Sequence, residues 1–174
     1  MVFADYARYY NLIYSDKNYS GEAHYIDSLI KRYSGTAVQV ILELGCGTGN
    51  HASFLAQKNY SVCGVDVSDE MIKIAKGISN PRLEFHHGDA RYIKFDKTFD
   101  AVVSLFHVAS YQNSDEDLSA FIGSAAGHLE KDGLFIFDFW YGPAVLNDLP
   151  AVRVKRLENE YLSLIHISEP TRPY

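Results

Sequence analysis

Short continuous apolar runs alternate along the chain with stretches in which apolar residues recur every three or four positions. The continuous runs are Ala37–Leu44, Ser61–Val65, Leu83–His86, Phe99–Leu105 and Leu134–Phe139. Runs of this kind, bounded by turn residues, predict strands covered on both faces. Residues 21–33 set Ala23, Ile26, Leu29, Ile30 and Tyr33 at helical spacing, with Ser20 as the expected N-cap and Gly35 as the stop. Ala52, Leu55 and Ala56 mark a helix after the first strand. Met71, Ile72 and Ala75 mark another after the second, capped by Ser68, with Asp69 and Glu70 suited to its positive end. The clearest stripe is Leu118, Phe121, Ile122, Ala125 and Leu129, with Ser114 as its cap and Lys131-Asp132-Gly133 as its stop and turn. Residues 1–19, rich in tyrosine, predict an irregular or short helical segment. Strands alternating with helices predict an α/β fold, a doubly wound, mostly parallel Rossmann-like sheet with right-handed crossovers.

Composition narrows the function classes. The 174 residues fit one domain. A net charge of -6 gives no global attraction for nucleic acid or anionic lipid, so neither is an expected partner. No apolar run approaches a membrane span, and the N-terminus lacks the blocks of a signal peptide. Cys46 and Cys63 supply neither a disulfide framework nor a metal cluster, and a reducing cytoplasm is the simplest home. His86 and His87 are adjacent on a strand and point to opposite faces, which makes them poor joint ligands; no metal is expected.

The last residues, 162–174, read as foreign. Back-translated, LSLIHISEPTR matches a stretch resembling a transposon-based sequencing adapter over eleven codons, and the following base opens the codon of Pro173. The expectation is a non-native tail on a C-terminally truncated chain, to be left out of fold reasoning.

Candidate chemistry centres on Glu43-Leu44-Gly45-Cys46-Gly47-Thr48-Gly49, where the first strand turns into a helix. Gly45 permits the tight turn, Gly47 admits a ligand to the backbone, and Gly49 opens the helix close to the sheet. The third glycine comes one residue earlier than in dinucleotide enzymes, and position 50 is Asn, which argues against NAD or FAD. Asp66 ends the second strand, where a carboxylate can accept both hydrogens of a ribose diol. Asp89 and Ala90 follow the third strand, within reach of an adenine edge.

Taken in order, ILELGCGTGNHA, VCGVDVSDEMIKIA, FHHGDARYI, FDAVVSLFHVASY and LEKDGLFIFDFW resemble the motifs of class I S-adenosylmethionine-dependent methyltransferases over roughly residues 36–140. The resemblance implies S-adenosylmethionine as cofactor, with Glu43, Gly45, Gly47 and Gly49 at its methionine side. It also puts Asp66 on the ribose, Met71, Asp89 and Ala90 around the adenine, and Leu105 below the sulfonium. It implies a seven-stranded sheet, against five strands countable here, and a division into a cap segment (1–34), the cofactor domain (35–140), the start of a substrate region (141–161) and the tail (162–174). The N-terminal YYNLIYSDKNYSGEAHYI, with FDFWYGP, is similar to the deoxyamino-sugar N-methyltransferases. That likeness implies a small-molecule acceptor such as a nucleotide-linked amino sugar, a cofactor-covering segment with Tyr10 and Tyr14, and a homodimer as a compatible assembly.

His107, just beyond the fourth strand, is the first candidate base, or a structural His of the rim. Tyr14 and Tyr111 are candidates to hold the acceptor, or else pack with satisfied hydroxyls. Trp140 and Tyr141 offer a stacking wall or core. Val152–Arg156 alternates as an added edge strand. Two alternatives stand beside the methyltransferase reading: a non-catalytic cofactor-binding module and a nicotinamide-dependent oxidoreductase.

Overall fold

The computed structural model describes residues 2–143, 153–159 and 162–168. Two helices, α1 (Val2–Ile13) and α2 (Tyr19–Tyr33), precede an alternation of β1 (Val40–Leu44), α3 (Asn50–Gln57), β2 (Ser61–Asp66), α4 (Asp69–Lys76) and β3 (Leu83–His87). Then come β4 (Phe99–Ser104), a short 3-10 turn at Val108–Tyr111, α5 (Asp115–His128) and β5 (Leu129–Phe137). These five strands form one parallel sheet in the order β3-β2-β1-β4-β5. The strand order reverses at β1, so the connections leaving the paired strands β1 and β4 run in opposite directions, at the point where open sheets of this kind bind ligands.

Alternate residues along each strand feed alternate faces. Ile41, Ala101 and Val103 join Ile26, Ile30 and Leu55 from α2 and α3 in one core. Leu42 and Val102 join Phe121 and Ala125 from α5 in the other. Both faces are covered, which is why the strands read as continuous apolar runs.

Several boundaries differ from the sequence expectation for local reasons. The tyrosine-rich N-terminus forms a twelve-residue helix, α1, longer than expected. Asn18, not Ser20, caps α2: its side chain accepts from the Gly21 N–H at 2.9 Å, and Ser20 lies inside the helix. β1 starts at Val40 rather than Ala37, because Asp100 of the neighbouring strand takes the Gln39 and Val40 N–H groups at 2.7 and 2.8 Å. The turn expected at Lys131-Asp132-Gly133 falls inside β5. Pairing jumps from Phe99↔Leu129 to Ala101↔Leu134, so the residues between bulge out, with Asp132 at φ 66°. β4 ends at Ser104 and β5 at Phe137, short of Leu105 and Phe139.

Arg153–Asn159 forms β6, as the alternation of Val152–Arg156 suggested, although Val152 lies outside the described residues. β6 pairs antiparallel with β7 (Leu162–Ser168) in a separate two-stranded ribbon. The tail left out of fold reasoning is thus partly ordered as a strand. Its Leu/Ile-rich composition is what a pleated pairing selects, whatever its origin. Residues 169–174 lie outside the described residues.

The α5 stripe is split by burial. Phe121 and Ala125 are fully buried, whereas Ile122 is 43% exposed and Leu118 37%. Phe121→Ala should therefore cost about 3–5 kcal/mol, and Ile122→Ala under about 1 kcal/mol. Urea titrations of the two variants check this, and equal losses would contradict the assignment of the core to the Phe121 side.

Candidate active site

The glycine loop works through its backbone. Gly45, Gly47 and Gly49 adopt φ 79°, 54° and 82°, a left-handed region that costs other residues about 1–3 kcal/mol. A Cβ on Gly45 would lie 2.4 Å from Val108 Cγ2, and one on Gly49 2.7 Å from Phe85 Cζ. A Cβ on Gly47 would meet nothing within 4 Å. The first and third glycines are thus required by packing, and the middle one faces open space. The Gly45 and Cys46 N–H groups both donate to the Val65 carbonyl at 2.8 and 2.9 Å. The Gly47 N–H donates to Asp66 Oδ2 at 2.8 Å, and the Ser68 N–H to Asp66 Oδ1 at 2.9 Å.

Above the loop lies a cavity of about 500 Å³, within the size range of small-molecule sites. Gly45, Gly47, Asp66, Met71, Asp89, Ala90 and Leu105 line it, together with Tyr14 and Tyr111. Tyr14 sits edge-on to Phe106 at 5.0 Å between ring centres. The N-terminal segment is tied down at Asn11, whose Oδ1 accepts from Thr48 Oγ1 at 2.7 Å and Asn50 Nδ2 at 3.1 Å.

Three expectations need correction. Gly49 does not line the cavity; it packs under Phe85 as the N-cap of α3. Glu43 does not line it either. It is fully buried and meets the site through His51, whose Nδ1 is 3.7 Å from Glu43 Oε1 and whose ring is on the wall. His107 stands one residue off the wall: Phe106 and Val108 occupy wall positions, while His107 turns to Trp140, 4.8 Å away. The cause is local. Asp138 accepts the Phe106 and His107 N–H groups at 3.1 and 2.7 Å and holds both residues in left-handed conformations.

The electrostatics of the floor were not anticipated. His51 Nε2 is 2.6 Å from Glu22 Oε2, and Glu22 also pairs with Lys17. The Lys17 ammonium lies over the Phe106 and Tyr19 rings at 4.5 and 5.0 Å. Burial raises the Glu22 carboxyl, but hydrogen bonds from His51 and Lys17 outweigh it and hold the pKa low. Burial lowers His51 despite Glu22. Burial also raises Asp66, against the hydrogen bonds from Ser68 and Gly47. Asp89 is held low by Arg91, which binds it through Nε and Nη2 and pairs with Asp117 as well. The signal for His51 was present in the sequence, since it falls in the first turn of the helix that the glycine loop opens. Asp138 and Glu22 come from distant segments and carried no local signal.

Burial, with the Asp66 charge adding to it, pushes the Glu43 carboxyl up to about 8. The ordinary glutamate value is 4.5, so between these limits the folded chain keeps a proton that the unfolded chain has released. Stability then falls as pH rises from about 4.5 to 8. Glu43→Gln removes that penalty and should be the more stable protein by about 3 kcal/mol at pH 7, with no gain near pH 4.5. Paired thermal melts across this range test it, and parallel profiles would show that Glu43 does not carry the buried proton.

Comparison with known proteins places the chain. It is 31% identical over 150 residues to the dTDP-3-amino-3,4,6-trideoxy-alpha-D-glucopyranose N,N-dimethyltransferase of Streptomyces venezuelae, across 85% of this chain and 62% of that protein. It is 34% identical over 120 residues to a malonyl-acyl-carrier-protein O-methyltransferase of Bacillus cereus, across 66% of this chain and 43% of that one. The chain thus spans between about two fifths and three fifths of the length of these relatives. Among solved structures, DesVI of Streptomyces venezuelae superposes with a TM-score of 0.82 at 27% identity, covering 97% of this chain and 71% of that one. A sugar N-methyltransferase from Streptoalloteichus shares the fold with a TM-score of 0.84 at 23% identity, over 95% and 66% of the two chains. The family model described as a methyltransferase domain matches residues 41–133. That match runs from β1 into the bulge of β5 and takes in the glycine loop, Asp66 and Asp89 alike, so the chain belongs to the methyltransferase domain family.

Proposed function

We propose that the cavity binds S-adenosylmethionine and that the protein methylates the amine of a nucleotide-linked amino sugar. The observation that carries the reading is the meeting, at the carboxyl ends of β1, β2 and β3, of an open Gly47 backbone, the Asp66 carboxylate and the Asp89-Ala90 corner around one cavity. The residues fit the cofactor. Each Asp66 oxygen spends one lone pair on a loop N–H and keeps another for a ribose hydroxyl. Met71 and Ala90 supply apolar surface for an adenine ring. When bound, S-adenosylmethionine supplies an electrophilic methyl group on a sulfonium.

The acceptor side belongs to Tyr14, Tyr111 and the His107–Trp140 pair beside the wall. Their work is orientation and exclusion of water, the largest contribution to an in-line displacement. His107 stands beside this rim, with its Nδ1 3.7 Å from Asp138 Oδ2. An amine attacks when neutral and sheds its proton readily after transfer, so a weak base at the rim suffices. The Streptomyces relatives named for dTDP-amino sugars support this acceptor class.

Calorimetry with S-adenosylhomocysteine tests the cofactor half. Asp66→Ala should weaken binding about 30-fold or more, the equivalent of about 2 kcal/mol for charge-assisted hydrogen bonds. Undiminished binding by a folded Asp66→Ala variant would remove Asp66 from the site. Incubation with a dTDP-amino sugar, read by mass spectrometry, tests the acceptor half. Cofactor binding without any methyl gain on the sugar would overturn the acceptor class while leaving the cofactor reading intact.

A further inference from the structure

Three side chains converge on the sheet away from the cavity, and none of them lines it. β2 and β3 pair in parallel with Cys63 opposite Glu84, and His86 follows Glu84 by two residues. Alternation along a strand therefore puts all three on one face. Cys63 Sγ, a Glu84 carboxylate oxygen and a His86 ring nitrogen lie within 4.8 Å of one another. His86 Nε2 is 2.8 Å from Glu84 Oε1, yet this buried nitrogen has no properly aligned hydrogen bond. The ring is held edge-on by Phe95 at 5.1 Å.

We propose that Cys63, Glu84 and His86 bind a zinc ion that staples the edge strand β3 to β2. Thiolate, imidazole and carboxylate together form a zinc donor set, and the fourth tetrahedral position would be left to water. Ligand atoms at zinc bonding distances lie about 3.3–3.8 Å apart, so the cluster must close by about 1.5 Å at most. Glu84 is exposed and His86 half-buried, so these two can make that movement while Cys63 stays fixed in the core. Binding breaks the Cys63 S–H bond and releases its proton to solvent. The thiolate and carboxylate then balance the two charges of the ion. A coordinated zinc ion deprotonates such a thiol. Lys97, whose Nζ lies 3.1 Å from Glu84 Oε2 and 5.8 and 5.5 Å from the Phe95 and Phe99 rings, holds the carboxylate in the metal-free protein and must release it when the ion binds. The sequence reading set His86 beside His87 and missed its partner two residues back, because Cys63 enters only through strand pairing.

The test is a titration of chelator-stripped protein with cobalt(II) and zinc(II). We expect one cobalt per chain with a thiolate-to-metal charge-transfer band, which Cys63→Ser abolishes and Cys46→Ser retains. His86→Ala, at the half-exposed rim, should keep the native circular dichroism and lose zinc affinity by at least about tenfold by calorimetry. A missing thiolate band, a band that survives Cys63→Ser, or unchanged zinc affinity in folded His86→Ala would each overturn the site.

Discussion

The architecture of the site depends on the hydrogen bonds between the glycine loop and the end of β2. Two successive loop N–H groups share the Val65 carbonyl, and the next residue, Gly47, itself left-handed, donates to the Asp66 side chain. The register Leu44↔Val65 brings the two chain segments level. A slip of one residue would turn Leu44 from its core and move Asp66 off the loop together, because strand side chains alternate with period two. Core packing and site geometry are therefore fixed by the same register. The loop can hold its shape only with glycines at 45 and 49, since Val108 and Phe85 already occupy the space a side chain would need.

Around this rigid centre α2 is anchored by Ala23, Ile26 and Ile30 in the core, and polar contacts tie the N-terminal segment to the loop. Asn11 reaches Thr48 and Asn50, and Glu22 joins Lys17 to His51. Glu43 stands beneath that line as a buried acid whose Oε2 lacks a hydrogen-bond partner. A buried carboxyl avoids the desolvation cost of its charge by keeping its proton. The site thus carries its negative charge at Asp66, where backbone donors stabilise it, while Glu43 supplies little of that charge near neutral pH.

The parts of the fold legible in the sequence are those set by short-range pattern. All five parallel strands and the helices α2 to α5 follow from apolar periodicity, and Ser68 and Ser114 cap the helices assigned to them. The glycine loop, Asp66 and the Asp89-Ala90 corner are read from their positions at strand ends, and Met71 from the family resemblance. What was not legible is set by tertiary contacts. The start of β1 is decided by Asp100, sixty residues away, and the direction of His107 by Asp138. The bulge in β5 reads as a helix stop because Lys-Asp-Gly favours a turn in either setting. Glu43 sits where a lining residue is expected, but alternation and the α3 helix turn it inward.

The division between the two kinds of contact also bears on specificity. One relative is named for N,N-dimethylation of a dTDP-amino sugar and another for O-methylation of malonyl-acyl-carrier protein, and they match 85% and 66% of this chain. On the proposed methyltransferase reading, acceptor choice would reside in segments that the glycine loop does not constrain. In this chain these are the turn after β4, carrying His107 and Tyr111, and the stretch after β5, carrying Trp140 and Tyr141. They are joined by Asp138 and by the Trp140 N–H donating to Ser110 Oγ at 2.9 Å. Trp140, Tyr141 and Tyr111 are each more than half exposed. An aromatic rim of that kind offers flat faces and hydroxyls in place of a buried strong base. That suits an acceptor whose nucleophile is already reactive when neutral, as an amine is, better than one that must be ionised before it can attack.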